Sequence, residues 1–508
     1  MGRSAVPFGG LEVRPVQSRN GLHRLLFNSP VFLLGFLPAT LLLFAALRRA
    51  GGRLPMLLLL AASLVFYGWW DWRFLPLLLA SMAFNHLVAG RILAVAEAGR
   101  RRRWLALGIA VDLAVLGWFK YAIFLAGILD QLTGWQARLG WVVLPIGISF
   151  FTFKQIAYLV DVHRGIAVER DPLRYALFVS FFPDLLAGPL VHHRELTPQL
   201  ERMGRRPLLP DLAVGCSIFT VGLAKKLLVA DTAALTATPL FERAAAGDEL
   251  GLLAAWAAAT AYALQIYFDF SGYSDMAIGL ARMFGVVLPI NFASPYKAAS
   301  MVEFWRRWHI SLSRFLRDYL YVPLGGNRRG PARRYFNVFV TMLLGGIWHG
   351  AGWTFVLWGA LHGALIVAVL AWQRRPGYRP LPQPLSVGLT LLAVVAAWVP
   401  FRAADLPTAW SLWASMLGLH GVEAAALPGL GFAGIAIGLA LALLAPNTQT
   451  LFRAFDPGLV TPGYASGIEA TGAPAWRFGL GHALLAGALL GLCLVKLNDV
   501  SEFIYFQF

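Results

Sequence analysis

The sequence predicts an all-α protein, a polytopic transmembrane helical bundle of about 9–12 spanning or re-entrant helices, and three observations lead to that class. Of the 508 residues, 58% are hydrophobic and 14% charged, and the mean hydropathy is +0.63, an apolar excess beyond that of soluble enzymes. The apolar residues fall in blocks of about 17–25, the length an α-helix needs to cross roughly 30 Å of hydrocarbon. These blocks are apolar on all sides, whereas a membrane barrel alternates over strands of about ten residues.

In chain order the clearest blocks are 31–47, 104–129, 141–160, 251–268, 352–371, 386–401, 430–445 and 479–496. The first follows Arg19 and Arg24 but is succeeded by Arg48, Arg49 and Arg53 with no small-x-small cleavage pattern, so it reads as an uncleaved span. The cationic 48–53 turn and the Arg100–Arg103 run flank a loop, 69–74, with one charge of each sign. Positive loops stay inside, which places the two basic turns in the cytoplasm and the N-terminus outside. Segments 175–190 and 275–289 are interrupted by Pro and Gly. Broken helices persist in lipid only beside protein or a water-filled cavity, so both point to a cavity in the bundle.

Residues 297–335 are polar enough to leave the hydrocarbon. Arg306, Arg307, Arg314, Arg317, Arg328, Arg329, Arg333 and Arg334 are offset there by only Glu303 and Asp318. Glu303/Arg307 and Arg314/Asp318 have the spacing of helical ion pairs, and Trp305, Trp308, Tyr319 and Tyr321 are interface anchors. The expectation is an amphipathic helix on the cytoplasmic surface, ending at Pro323 and the Gly325-Gly326 turn.

The formal charge of +17 fits cytoplasmic loops facing anionic lipid rather than nucleic acid. Cys216 and Cys493, the two cysteines, lie in apolar segments and support neither a disulfide framework nor a thiolate metal site. A histidine in an apolar span is retained only with a partner or a task. For His86, His362 and His482 the expected use is hydrogen bonding between helices, and the His192-His193 pair lacks further ligands at metal spacing.

His349 lies among Gly345, Gly346, Gly350 and Gly352, beside Trp348, so little bulk surrounds its ring and a substrate could approach. A neutral imidazole in such a pocket can take a proton from a hydroxyl. A packing histidine in a glycine-rich helix contact is the other reading of the same residues. His309 has Trp305 four residues before it and Ser313 four after, so the three are expected on one helix face. A helical hairpin would bring His309 and His349 together. Asp269 and Asp275 surround Ser271 and Tyr273 in an apolar stretch. A carboxylate in lipid costs about 2.5–3.5 kcal/mol on insertion scales, so both should face protein or water, as scaffolding at a cavity or as acceptor-binding groups.

The segments FNSPVFLLGFLP (27–38), LPIGISFFTFKQIAYLVDVHRG (144–165), FFPDLLAGPLVHHREL (181–196), IYFDFSGYSDMAIGLARMFG (266–285), WRRWHISLS (305–313) and GGIWHGAGWTFVLWGALHG (345–363) together resemble the membrane-bound O-acyltransferase family, within it the alginate O-acetylation branch. The resemblance divides the chain into a short extracytoplasmic segment, 1–26, a catalytic core, 27–375, and C-terminal helices, 376–508, that complete the bundle. It implies a bundle enclosing a tunnel, with an acyl donor entering from the cytoplasm, an acceptor outside, and catalytic roles for His349 and His309. Acetyl-CoA is the implied donor substrate, with no permanently bound cofactor and no metal. Arg306, Arg307 and Arg314 would hold its phosphates. Asp269, Ser271, Tyr273, Asp275, Trp305 and Trp348 would line the cavity or acceptor site. The implied setting is the bacterial inner membrane, and the implied acceptors are an extracytoplasmic polysaccharide such as alginate or a periplasmic acetyltransferase that serves it. D-alanyl transfer to an envelope polymer and transport of a glycan or lipid-linked sugar are the alternatives.

Overall fold

The computed structural model describes residues 25–50, 52–135, 139, 142–203, 208–422, 427–469, 472, 475–498 and 503–504. The expected N-terminal segment lies outside the described residues except for Leu25 and Leu26, both buried. Among the described residues the one strand-like feature is an isolated parallel bridge between Pro289 and Leu459.

Helix α1 (Leu37–Ala50) is entered through a π-turn at Val31–Phe36 and followed by α2 (Leu54–Asp71), α3 (Leu75–Ala94) and α4 (Ala98–Thr133). Next come α5 (Ile148–His163), α6 (Pro172–Ser180), α7 (Phe182–Leu185) and α8 (His193–Glu201). Helix α9 (Leu208–Ala224) runs through a second π-turn, Lys225–Ala230, into α10 (Asp231–Ala245), and α11 (Leu252–Met283) follows. The short α12 (Met301–Arg307) and α13 (Ile310–Leu316) precede α14 (Gly330–His349) and α15 (Trp353–Gln373). The remaining helices are α16 (Gln383–Arg402), α17 (Leu406–Met416), α18 (Gly431–Leu443), α19 (Thr448–Leu451) and α20 (Leu480–Val495).

Six helical stretches among the described residues are long and apolar enough to cross a membrane: Val31–Arg49, Leu54–Ala94, Ala98–Thr133, Leu208–Ala245, Trp353–Gln373 and Gln383–Arg402. The predicted class of a multi-pass helical bundle is the one observed. At its centre stands α11, buried on every face from Tyr262 to Met283 except at Gln265. Its closest neighbour is α9, and the approach depends on glycines seven residues apart on each helix. A Cβ on Gly222 would sit 2.6 Å from the Gly272 carbonyl oxygen, and one on Gly279 would sit 2.6 Å from that of Gly215. The two backbones touch because neither helix carries a side chain there.

Both segments expected to be interrupted are interrupted. Residues 175–190 do contain two short buried helices, α6 and α7, joined at Phe181. Residues 275–289 are interrupted in their second half: α11 runs through Gly279, which serves the contact with α9, and ends at Met283, and the chain turns at Gly285, φ +79°.

The basic segments gather at one end of the bundle. Arg53 pairs with Asp171 at 3.2 Å, Arg101 donates to the His163 carbonyl at 3.0 Å, and Arg164 donates to the Asp318 carbonyl at 3.3 Å. The 48–53 turn, the start of α4 and the segment after α13 therefore share a face, as one cytoplasmic surface would require.

Candidate active site

His309 is fully buried and adopts a left-handed backbone conformation, φ +43° and ψ +55°. A non-glycine residue there costs about 1–3 kcal/mol and persists only where its surroundings hold it. The loop before α12 does so. The Asn291 carbonyl accepts from the Ile310 N–H at 2.9 Å, and Ala293 N–H donates to the Arg307 carbonyl at 2.9 Å. The Asn291 side-chain oxygen accepts from Ser311 N–H at 3.2 Å and Ser311 Oγ at 2.9 Å, and lies 3.1 Å from His309 Nδ1. Phe270 on α11 closes the ring edge-on, with centroids 4.6 Å apart.

This turn corrects the reading of 303–319 as one helix. Trp305 ends up on α12, Ser313 on α13, and His309 at the break between them, so the three do not share a helix face. The Glu303–Arg307 pair forms at 2.7 Å. The Arg314–Asp318 pair does not. Arg314 turns inward to Glu195 on α8, in a two-pronged contact of 2.5 and 2.6 Å, and Asp318 pairs with Arg317 at 2.7 Å in a π-turn, Arg317–Tyr321. Burial pushes the Glu195 carboxyl up, but the Arg314 guanidinium and the His192 N–H more than offset it and hold its pKa below the usual carboxylate value.

His349 is the last residue of α14, where a helix leaves carbonyls without intrahelical donors. Helix α4 supplies them. Lys120 Nζ donates to the Trp348 carbonyl at 2.6 Å and the His349 carbonyl at 3.0 Å, and Tyr121 Oη donates to the Ile347 carbonyl at 2.9 Å. Trp348, Trp358 and Phe401 wall the His349 ring, with centroids 4.9, 5.0 and 5.3 Å away. His349 is within electrostatic reach of His309, so the two predicted histidines lie in one region of the bundle. Lys120→Met is expected to lower the melting temperature of the detergent-solubilised protein more than Tyr121→Phe does, because Lys120 serves two carbonyls of α14 and Tyr121 one, and a buried acceptor left without its donor costs about 1–3 kcal/mol.

The glycines around His349 have another use than clearance for a substrate. A Cβ on Gly346 would lie 2.5 Å from the Phe355 carbonyl oxygen and 2.7 Å from Gly359 Cα, and one on Gly350 would collide with the Phe355 ring. They let α14 and α15 close into a tight hairpin, and that hairpin fixes where His349 stands. His362, on α15, makes the expected interhelical bond, accepting from Trp305 Nε1 at Nδ1 over 3.2 Å.

A cavity of about 330 Å³ is lined by Trp305, Arg306, Ser313, Arg317, Thr341 and Tyr464 among others. Arg317 stacks on Tyr464 at 5.1 Å. Trp305 also packs on Trp358, ring centroids 5.8 Å apart, and Trp358 in turn is one of the walls of His349. Of the three arginines singled out from sequence, Arg306 faces the cavity, Arg307 is held by Glu303 and the Ala293 carbonyl, and Arg314 is an internal partner of Glu195. Arg317 joins Arg306 instead.

Asp269 and Asp275 answer two consecutive lysines in the π-turn after α9. Lys226 bridges Asp269 at 2.6 Å and Asp231 at 2.8 Å, while Lys225 meets Asp275 at 2.6 Å and Thr448 Oγ1 at 2.8 Å. Asp269 also accepts from Ile504 N–H at 3.1 Å, and Tyr273 packs edge-on against Phe503. Ser271 is buried beside them on α11. A second cavity, about 460 Å³ and mostly apolar, lies between α9–α10, α11 and α18, with Lys225 on its wall and neither catalytic candidate. Among the described residues no group of three His, Cys, Asp or Glu side chains is arranged to hold a metal ion.

The model of the membrane-bound O-acyltransferase family matches residues 167–383, which contain both histidines. A probable alginate O-acetylase of Pseudomonas putida is 40% identical over 507 residues, covering 95% of this chain and all of that protein. The chain belongs to the membrane-bound O-acyltransferase family. Another probable alginate O-acetylase, from Pseudomonas aeruginosa, is 44% identical over 432 residues, 83% of this chain and 80% of the relative. A peptidoglycan O-acetyltransferase of Helicobacter pylori is 41% identical over 429 residues, 78% and 81% of the two chains. The protein is thus a membrane-bound O-acyltransferase. Asn291, Lys120 and Tyr121 join the site without having stood out in the sequence. Lys120 carried a usable signal, a single cation inside the apolar block 104–129.

Proposed function

We propose that this acyltransferase takes acetyl from acetyl-CoA at the cytoplasmic face of the inner membrane and delivers it to an extracytoplasmic polysaccharide such as alginate, through a periplasmic transferase partner. The observation that carries the reading is that His309 and His349 lie within electrostatic reach of one another, while Trp305 of the arginine-bearing cavity packs on Trp358, which also walls His349. Lys120, and with it the end of α14, stands nineteen residues beyond Arg101 on α4, about 28 Å at the helical rise. An acyl group handed over at His349 has therefore left the basic face far behind.

In this reading the CoA phosphates rest against Arg306 and Arg317, and the pantetheine arm runs past Trp305. The acceptor hydroxyl attacks the thioester carbonyl. His349 takes the hydroxyl proton, His309 serves the thioester side, and the proton finally leaves on the CoA thiol. General acid–base catalysis of this kind contributes about 10²–10⁴-fold. Membranes supplied with labelled acetyl-CoA and the polymer-modifying partner should transfer label to the glycan. Arg306→Ala and Arg317→Ala should each raise KM for the donor by about tenfold, the equivalent of 1.4 kcal/mol, with little change in kcat. Arg314→Ala should instead lower protein yield, because Glu195 keeps its burial and loses its cation. An unchanged donor KM in both cavity variants would remove acetyl-CoA from this cavity.

A further inference from the structure

We infer that Asn291 is a positioning residue that fixes the tautomer of His309 and makes Nε2 the nitrogen at which this histidine gains and loses its proton; the inference rests on the proposed role of His309 in acyl transfer. The argument begins with the amide. A backbone N–H can only donate, so the Ser311 N–H at 3.2 Å identifies the Asn291 atom it meets as the carbonyl oxygen. The other end of the same amide donates to Ser274 Oγ at 3.0 Å, in agreement. An amide oxygen has no hydrogen, so His309 Nδ1, 3.1 Å from it, must be the donor. The neutral ring is then the Nδ1–H form, with its lone pair on Nε2.

The placement is specific to this histidine. His362, close by, accepts the indole N–H of Trp305 at Nδ1 and is therefore fixed in the opposite form, with hydrogen on Nε2. Asn291 also holds the backbone on which His309 turns, through the bond from Ile310 N–H to its own carbonyl. One residue thus sets both the left-handed turn that aims the ring and the nitrogen that carries the hydrogen. With Nδ1–H committed to Asn291, a proton arriving at His309 binds Nε2, and the imidazolium can return it only from Nε2. Rotation of the ring by 180° would put Cδ2 in the place of Nδ1 and lose the hydrogen bond to the Asn291 oxygen, so the contact at 3.1 Å also fixes which way round the ring stands.

The direct test is solid-state ¹⁵N spectroscopy of histidine-labelled protein in lipid, with the His309 signals assigned by difference from His309→Ala. The expected result for the unaltered protein is a neutral ring protonated at Nδ1; a ring protonated at Nε2 overturns the inference without any reference to activity. Asn291→Leu keeps the volume and removes the acceptor. It should mix the two forms and lower kcat by about 10²-fold, the scale of a misplaced catalytic group, with a smaller change in donor KM. Asn291→Asp keeps an acceptor for His309 Nδ1 and Ser311, and Ser274 can rotate its hydroxyl to donate. It should retain the Nδ1–H form and most of the activity. In a His309→Ala background, Asn291→Asp and Asn291 itself should give equal rates. An Asn291→Leu protein with wild-type kcat and an unmixed Nδ1–H ring would defeat the proposal, whereas an active His309→Ala protein would defeat the role of His309 and leave the tautomer assignment standing.

Discussion

His349→Ala is expected to lower acyl transfer by about 10²–10⁴-fold, the range supplied by a positioned acid or base, while leaving the protein folded in the membrane. Both halves of that expectation come from the end of α14. The bonds from Lys120 and Tyr121 reach main-chain carbonyls of residues 347–349, not the imidazole, so alanine keeps all three. The hairpin with α15 rests on Gly346 and Gly359, which are also unchanged. What disappears is a ring enclosed by Trp348, Trp358 and Phe401. The measurement is ester content of the cell-surface polymer, or label transferred from acetyl-CoA in isolated membranes, at matched protein levels. Full ester content in the variant would end the case for His349 as the base. Loss of polymer export with normal esterification would instead favour transport, the function that broken helices and intramembrane carboxylates alone would also fit.

Much of this architecture was legible because transmembrane helices must satisfy their own backbone and therefore need long apolar runs. The blocks at 352–371 and 386–401 recur almost residue for residue as Trp353–Gln373 and Gln383–Arg402. The break at His309 was not legible. EFWRRWHISLSRF keeps helical spacing throughout, and the left-handed turn is imposed from Asn291, eighteen residues earlier. The glycines beside His349 were visible but ambiguous, since the same absence of a side chain serves a substrate or a neighbouring helix. Only the contact with α15 decides between them. Arg314 gives up its expected partner, Asp318, for a related reason. Spacing of four residues favours an ion pair on a free helix, yet Arg314 is buried and faces α8, where Glu195 offers a matched pair of oxygens.

The largest loss of stability should follow Lys226→Met. The Lys226 side chain is 2% exposed and that of Asp269 3%, and removing one partner of a buried pair costs about 3–5 kcal/mol because the other keeps its charge away from water. That is a large fraction of the roughly 5–15 kcal/mol that separates most folded proteins from their unfolded chains. Here the damage extends beyond one pair. Lys226 meets both Asp269 and Asp231 and lies over the Phe503 ring at 4.9 Å, while Asp269 holds the Ile504 N–H. The C-terminal segment is thus fastened to α11 through the carboxylate that Lys226 neutralises. Thermal unfolding in detergent should show a clear fall in melting temperature and in yield for Lys226→Met. Adding Asp269→Asn should recover part of it, since the amide carries no charge and its oxygen still accepts from Ile504. A Lys226→Met protein that melts like the wild type would mean that the aspartates are solvated or protonated in the membrane, and that α11 is held by its glycine contacts with α9 rather than by these ions.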